Sequence, residues 1–246
     1  MKRVIALSLA LFSGMAAAKD LPAIPADCAK SVADLGYCSA VQAPTFKGPI
    51  DMQFFVVVDK SNYPTVTSII NRYLAFDYWP EFSKSTSTDS LLFSKSARMP
   101  SFDKDQRTIY PHYYDYRLKS PIGYIKVRGL THNYLVQPYT NAVMSLEFVA
   151  QTAGPQTVPA GEKPLDGLEG VKFQTGAVHA IDCANGSVSF CSADQFLLVY
   201  TTNLQPDIDL LPKVAAASIQ SGIESLLVGM LFNDVQIPAG ALVLKD

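Results

Sequence analysis

The chain has 246 residues, of which 20 are basic and 22 acidic, for a formal charge of −2. No cluster of lysine and arginine offers a nucleic-acid or anionic-membrane footprint, so neither is an expected partner. With 48% hydrophobic and 17% charged residues, the length suits one large domain or two small ones with a sizeable core.

Residues 1–18 read as a secretory signal. Lys2 and Arg3 open it, Val4 to Met15 form an apolar run too short to span a bilayer, and Ala16-Ala17-Ala18 offers the cleavage site. The first cysteine is Cys28, so a lipoprotein anchor is not expected. The mature chain is expected to be soluble and periplasmic or secreted. In that setting Cys28, Cys38, Cys183 and Cys191 read as two disulfides. Three connectivities are open, and the local one, Cys28–Cys38 with Cys183–Cys191, is preferred. A tight turn at Asn185-Gly186 would not put Cys183 opposite Cys191, so that loop must be wider. Neither pair has the CxxC spacing of a metal site.

Lys19 to Pro49 is rich in alanine and proline and shows little periodicity, the mark of a surface extension carrying a disulfide loop. Asp51 to Asp59 is β-branched and aromatic, a good strand. After Asn62-Tyr63-Pro64, the residues Val66, Ile69, Ile70, Tyr73 and Leu74 recur at helical spacing, and Trp79-Pro80 is expected to stop or bend that helix. Strands are predicted near Ser90–Met99, Thr108–Leu118, Ile122–Gly129, Asn133–Val136, Val143–Ala150, Val171–Ile181 and Val188–Thr202. Ala153 to Gly170, with its prolines and glycines, reads as an ordered surface loop. A long amphipathic helix follows from Asp209 to Phe232. Lys213, Gln220 and Glu224 interrupt it and argue against a membrane span.

The phrase Phe76-Asp77-Tyr78-Trp79-Pro80-Glu81-Phe82 follows the first helix, and antiparallel strands and one closing helix come after it. Together these resemble the START-like (SRPBCC, helix-grip) superfamily, in its polyketide-cyclase-like or coenzyme-Q-binding-like branch. The resemblance covers about Ile50 to Phe232, with the domain running to residue 246. It implies an α+β helix-grip fold, a curved antiparallel sheet wrapped around a long C-terminal α-helix. The export signal with its cysteines, and the long Ala153–Gly170 loop, depart from the usual pattern.

The densest polar-aromatic run is Tyr110 to Tyr116. On a strand, Tyr110, His112, Tyr114 and Tyr116 share one face, and Tyr113, Asp115 and Arg117 the other. Facing inward, the first set would offer phenols and an imidazole to an apolar guest. Facing outward, it would be only a good strand. From the final helix, Ile219, Ile223, Leu226, Leu227 and Met230 complete the expected ligand-binding set. His112, His132 and His179 have no metal-ligand spacing, and no GxSxG elbow or phosphate loop is present, so no metal, cofactor or catalytic residue is assigned. Arg98, Arg128, Glu147 and Asp182 could meet as acid–base groups, although solvated strand ends are the commoner reading. The expected function is carriage of a hydrophobic small molecule or lipid between sheet and helix, with no stable membrane insertion and the protein partner left open. The alternatives are a cyclase- or hydratase-like enzyme in the same cavity, or an envelope interaction protein with a vestigial one.

Overall fold

The computed structural model describes residues 19–44, 48–84, 86, 90–100, 108–121, 123–207 and 212–244, with backbone alone at 108–110 and 212. The expected signal, residues 1–18, and the expected first residues of the closing helix, 209–211, lie outside the described residues.

The expected N-terminal extension contains regular structure. Helix α1 (Cys28–Leu35) ends at Gly36, whose φ of 78° returns its N–H to Val32 O at 2.8 Å. Strand β1 (Tyr37–Gln42) then pairs antiparallel with β2 (Ile50–Asp59). The Cys28–Cys38 disulfide ties the start of α1 to β1. Periodicity missed both elements because they are short and half covered.

Helix α2 (Val66–Leu74) is capped by Thr65, whose side chain accepts from Ser68 N–H. Trp79-Pro80 does not end it. The helix already stops at Leu74, a 3-10 turn spans Phe76–Tyr78, and Trp79-Pro80 opens a new helix, α3 (Trp79–Lys84). Proline suits a first helical turn because its missing N–H would have no partner there.

The strands follow as β3 (Leu91–Arg98), β4 (Thr108–Ser120), β5 (Gly123–Val136) and β6 (Met144–Ala150). A two-residue pair, β7 (Pro155–Gln156) and β8 (Leu165–Asp166), pins the long loop, and β9 (Val171–Asp182) and β10 (Gln195–Pro206) complete the set. Eight strands form one antiparallel sheet in the order β1-β2-β10-β9-β6-β5-β4-β3. Residues 188–194, predicted to be strand, instead lie in the connection between β9 and β10, part of which the Cys183–Cys191 disulfide closes.

The closing helix, α4 (Pro212–Phe232), lies against the sheet, α2 and α3. Lys213–Phe232 is long and apolar enough to cross a membrane by length and composition. Here Ala215, Ile219, Leu226, Leu227, Met230 and Leu231 are buried in the main core against Phe54, Val56, Leu146, Val178 and Leu198. The sheet curves around this helix, which is the helix-grip arrangement.

Two smaller cores sit on the outer face. One joins Cys28, Val32 and Cys38 to Phe55, Val57, Ile181 and Cys183, so both disulfides anchor the same apolar patch. It explains why β2 reads as an unbroken apolar run: both of its faces are covered. The other places Leu165 of the long loop over Tyr113 and Leu130.

Candidate functional site

Between the concave face of the sheet and α4 lies a narrow cavity of about 60 Å³, measured as room for the centre of a water-sized sphere. That is space for a few waters, each needing roughly 10–15 Å³ by this measure. A larger guest requires the walls to part.

Strand β4 supplies one wall. His112, Tyr114 and Tyr116 face the cavity, whereas Tyr113 packs into the outer cluster and Arg117 is exposed. The alternation of the pleat therefore places the first set inward. Tyr110, the fourth residue proposed for this face, has its backbone in β4, but its side chain lies outside the described residues. Helix α4 supplies the opposite wall through Ile219, Ile223, Leu226, Leu227 and Met230. The structure thus brings eight of the nine sequence-proposed ligand residues to one hollow.

The sequence reading did not single out Tyr200, Gln174, Thr131 or Phe148 for this wall, and it assigned Tyr73 to an apolar stripe. All five line the cavity. Period-two alternation along β5, β6, β9 and β10 was the available signal for the four strand residues. It gives two faces, however, and only the assembled sheet says which face is concave.

Trp79 fixes the corner. Its ring centroid is 5.4 Å from Phe76, 5.6 Å from Tyr73 and 4.5 Å from His112, and its Nε1–H donates to Tyr73 O at 3.0 Å. His112 stacks on Phe76 at 4.1 Å. Ser96 Oγ donates to Phe76 O at 2.5 Å, so at 2.8 Å from His112 it accepts from Nε2–H. The lone pair of this imidazole therefore resides on Nδ1. Burial lowers the His112 pKa from 6.5 to about 3, which keeps the ring neutral.

The phenols form a second polar group. Tyr114 Oη donates to Gln174 Oε1 at 3.2 Å and Tyr73 Oη to Asn133 Oδ1 at 3.3 Å. Burial raises the pKa of Tyr73, Tyr114, Tyr116 and Tyr200, with the neighbouring phenols adding to the effect in Tyr73, Tyr114 and Tyr116. All four remain un-ionised at neutral pH.

The other candidates are dispersed. Arg98 donates to Leu74 O and Ala241 O. Arg128 is buried beneath the long loop, where it donates to Tyr113 Oη at 2.8 Å and to Lys163 O. Glu147 pairs with Lys19 at 2.5 Å, and Asp182 with Lys60 at 2.7 Å. His132 lies 3.4 Å from Gln151, and His179 lies 2.9 Å from Ser145 Oγ. None of these groups lines the cavity.

No protein-family model and no curated protein matches the chain. Among solved structures, it is similar to human STARD10, at 10% identity over 80% of this chain and 69% of that one, with a TM-score of 0.46. It is also similar to the Zhui aromatase/cyclase from Streptomyces sp. R1128, at 10% identity over 75% and 90% of the two chains, TM-score 0.40. The major latex-like protein 151 of Panax ginseng matches at 7% identity over 76% and 99%, TM-score 0.37. These are distant likenesses of chain path.

Proposed function

We propose that this protein is a non-covalent binding protein or carrier for a hydrophobic small molecule or lipid, held between the sheet and α4. The observation that carries this reading is the internal hollow, with aliphatic side chains of α4 on one wall and neutral polar aromatics of β4 on the other. Apolar burial would supply affinity at about 0.8 kcal/mol per sequestered methylene, and the polar wall would orient the guest. A cyclase- or hydratase-like role has less support. With its pKa lowered to about 3, His112 takes up a proton poorly at neutral pH and is better suited to accepting a hydrogen bond. Two disulfides fit an oxidising compartment outside the cytoplasm, in keeping with an exported carrier.

Titration of the purified chain with the uncharged fluorophore phenylnaphthylamine tests this reading. Saturable binding is expected, and it should weaken at least about tenfold in Ile223→Trp, which fills the slot from its half-buried edge. Circular dichroism would verify that the variant remains folded. Absence of saturable binding to the wild type contradicts the proposal.

A further inference from the structure

Among the described residues, the lining of the cavity contains no aspartate, glutamate, lysine or arginine. A buried anion or cation therefore finds no counter-charge there, and an unpaired ion taken out of water is heavily penalised. Hydrogen-bonding capacity is present but mostly committed. The hydroxyls of Tyr73 and Tyr114 donate to Asn133 and Gln174, and Trp79 Nε1–H donates to a backbone carbonyl. The side chains of Thr202 and Gln174 stand beside the Tyr200 hydroxyl, and the one N–H of His112 goes to Ser96.

Tyr116 differs. Its ring is held by Tyr114 and Phe93, each at a centroid distance of 5.5 Å. Its hydroxyl has no hydrogen-bond partner among the described residues, and the side chain lines the cavity. A phenolic O–H with no acceptor from these side chains and open space beside it can donate to a guest oxygen placed against it.

On the reading that the hollow takes a hydrophobic guest, we propose that this guest is uncharged and carries a carbonyl or hydroxyl oxygen that accepts a hydrogen bond from Tyr116. The same geometry discriminates against carboxylates and phosphates built on an equal carbon skeleton. Selectivity here comes from a missing cation as much as from a present donor.

Three probes of one ring skeleton separate the terms: naphthalene, acetylnaphthalene and naphthoate, titrated calorimetrically into the full purified chain. The ketone and the carboxylate are nearly the same size and differ mainly in charge. Acetylnaphthalene is expected to bind at least about tenfold more tightly than naphthoate. It should also exceed naphthalene by about fivefold, the worth of one hydrogen bond. Tyr116→Phe should bring the ratio of ketone to naphthalene affinity down to about one, whatever the variant's absolute affinity for naphthalene. Naphthoate binding as tightly as the ketone overturns the neutral-guest inference, and an undiminished ketone advantage in Tyr116→Phe overturns the role of Tyr116. In both of those cases naphthalene still binds and the hydrophobic-carrier reading stands. Failure of naphthalene itself counts against the carrier reading and takes this inference with it.

Discussion

His112 shows how one side chain's surroundings set its chemistry. It is 2% exposed, stacked on Phe76 and bonded to Ser96, and its pKa falls from 6.5 to about 3 through loss of solvation. Below the unfolded value the unfolded chain binds a proton that the folded chain refuses. Stability is therefore whole above pH 6.5 and declines as pH falls towards about 3. Moving from about pH 7 to about pH 5 should cost about 2 kcal/mol through this residue alone. Urea unfolding at the two pH values should show His112→Phe retaining that amount, relative to its own neutral-pH stability, that the wild type loses. Equal losses in the two proteins would contradict the assignment. At this scale the sequence disclosed the candidates on β4 and α4, because the spacing of a strand and of a helix fixes which residues share a face. It did not disclose Tyr73, Gln174 and Tyr200. Their meeting with Tyr114 depends on β9, β10 and α2 arriving at one concave surface, which no local pattern encodes.

Helix α4 is tied at its C-terminal end by side chains of α2. At its C-terminal end, the Arg72 guanidinium donates to Met230 O, to Val235 O at 2.8 Å, and to Asn233 O and Oδ1 at 2.9 and 2.6 Å. A cation there satisfies carbonyls that the helix leaves open and complements its dipole. Asn71 adds bonds to the backbone of Val243 and Leu244. Arg72→Ala should lower unfolding free energy by about 2–4 kcal/mol, and Arg72→Lys should restore little of it because one ammonium cannot reach the same set of oxygens. Chemical denaturation of both variants checks this, and full rescue by lysine would contradict it. Along the helix, Gly222 faces the sheet, and a Cβ there would lie 2.5 Å from Leu118 Cδ2. Leu118 lines the cavity and can yield by rotating into it. Gly222→Ala should thus leave stability within about 1 kcal/mol, the helix-propensity gain offsetting the displacement, while weakening phenylnaphthylamine binding in the same titration. Unchanged affinity would contradict that placement. The strands expected at Ile122–Gly129 and Asn133–Val136 are one: β5 runs unbroken from Gly123 to Val136, through Gly129. The glycine is there because a Cβ would meet Leu168 at 2.4 Å and the Tyr114 hydroxyl at 2.8 Å. Close approach and a turn leave the same mark in a sequence.

At the scale of the whole molecule, a large concave core is braced by two small outer ones. The element order and the curved sheet around one closing helix were legible from hydrophobic periodicity and from the resemblance that Phe76–Phe82 carries. The bracing was not, because α1, β1 and the Cys183–Cys191 loop gain their stability from burying apolar surface against β2, β9 and β10 rather than from their own pattern. The Cys28–Cys38 bridge closes a short loop within that patch. Its removal in a Cys28→Ala, Cys38→Ala variant should cost about 2–3 kcal/mol by loop-closure entropy, read from thermal or urea unfolding. A loss near zero would show that the outer core holds α1 without it. On the proposed function, the hollow between sheet and helix receives an uncharged hydrophobic guest. Native mass spectrometry of the protein purified gently from the cells that make it, followed by extraction and charge-state analysis of whatever is released, tests this most directly. A stoichiometric neutral compound bearing a carbonyl or hydroxyl group, absent from Ile223→Trp purified in parallel, is the expected result. A bare chain that also leaves phenylnaphthylamine unbound, or an anionic lipid released in its place, would contradict it.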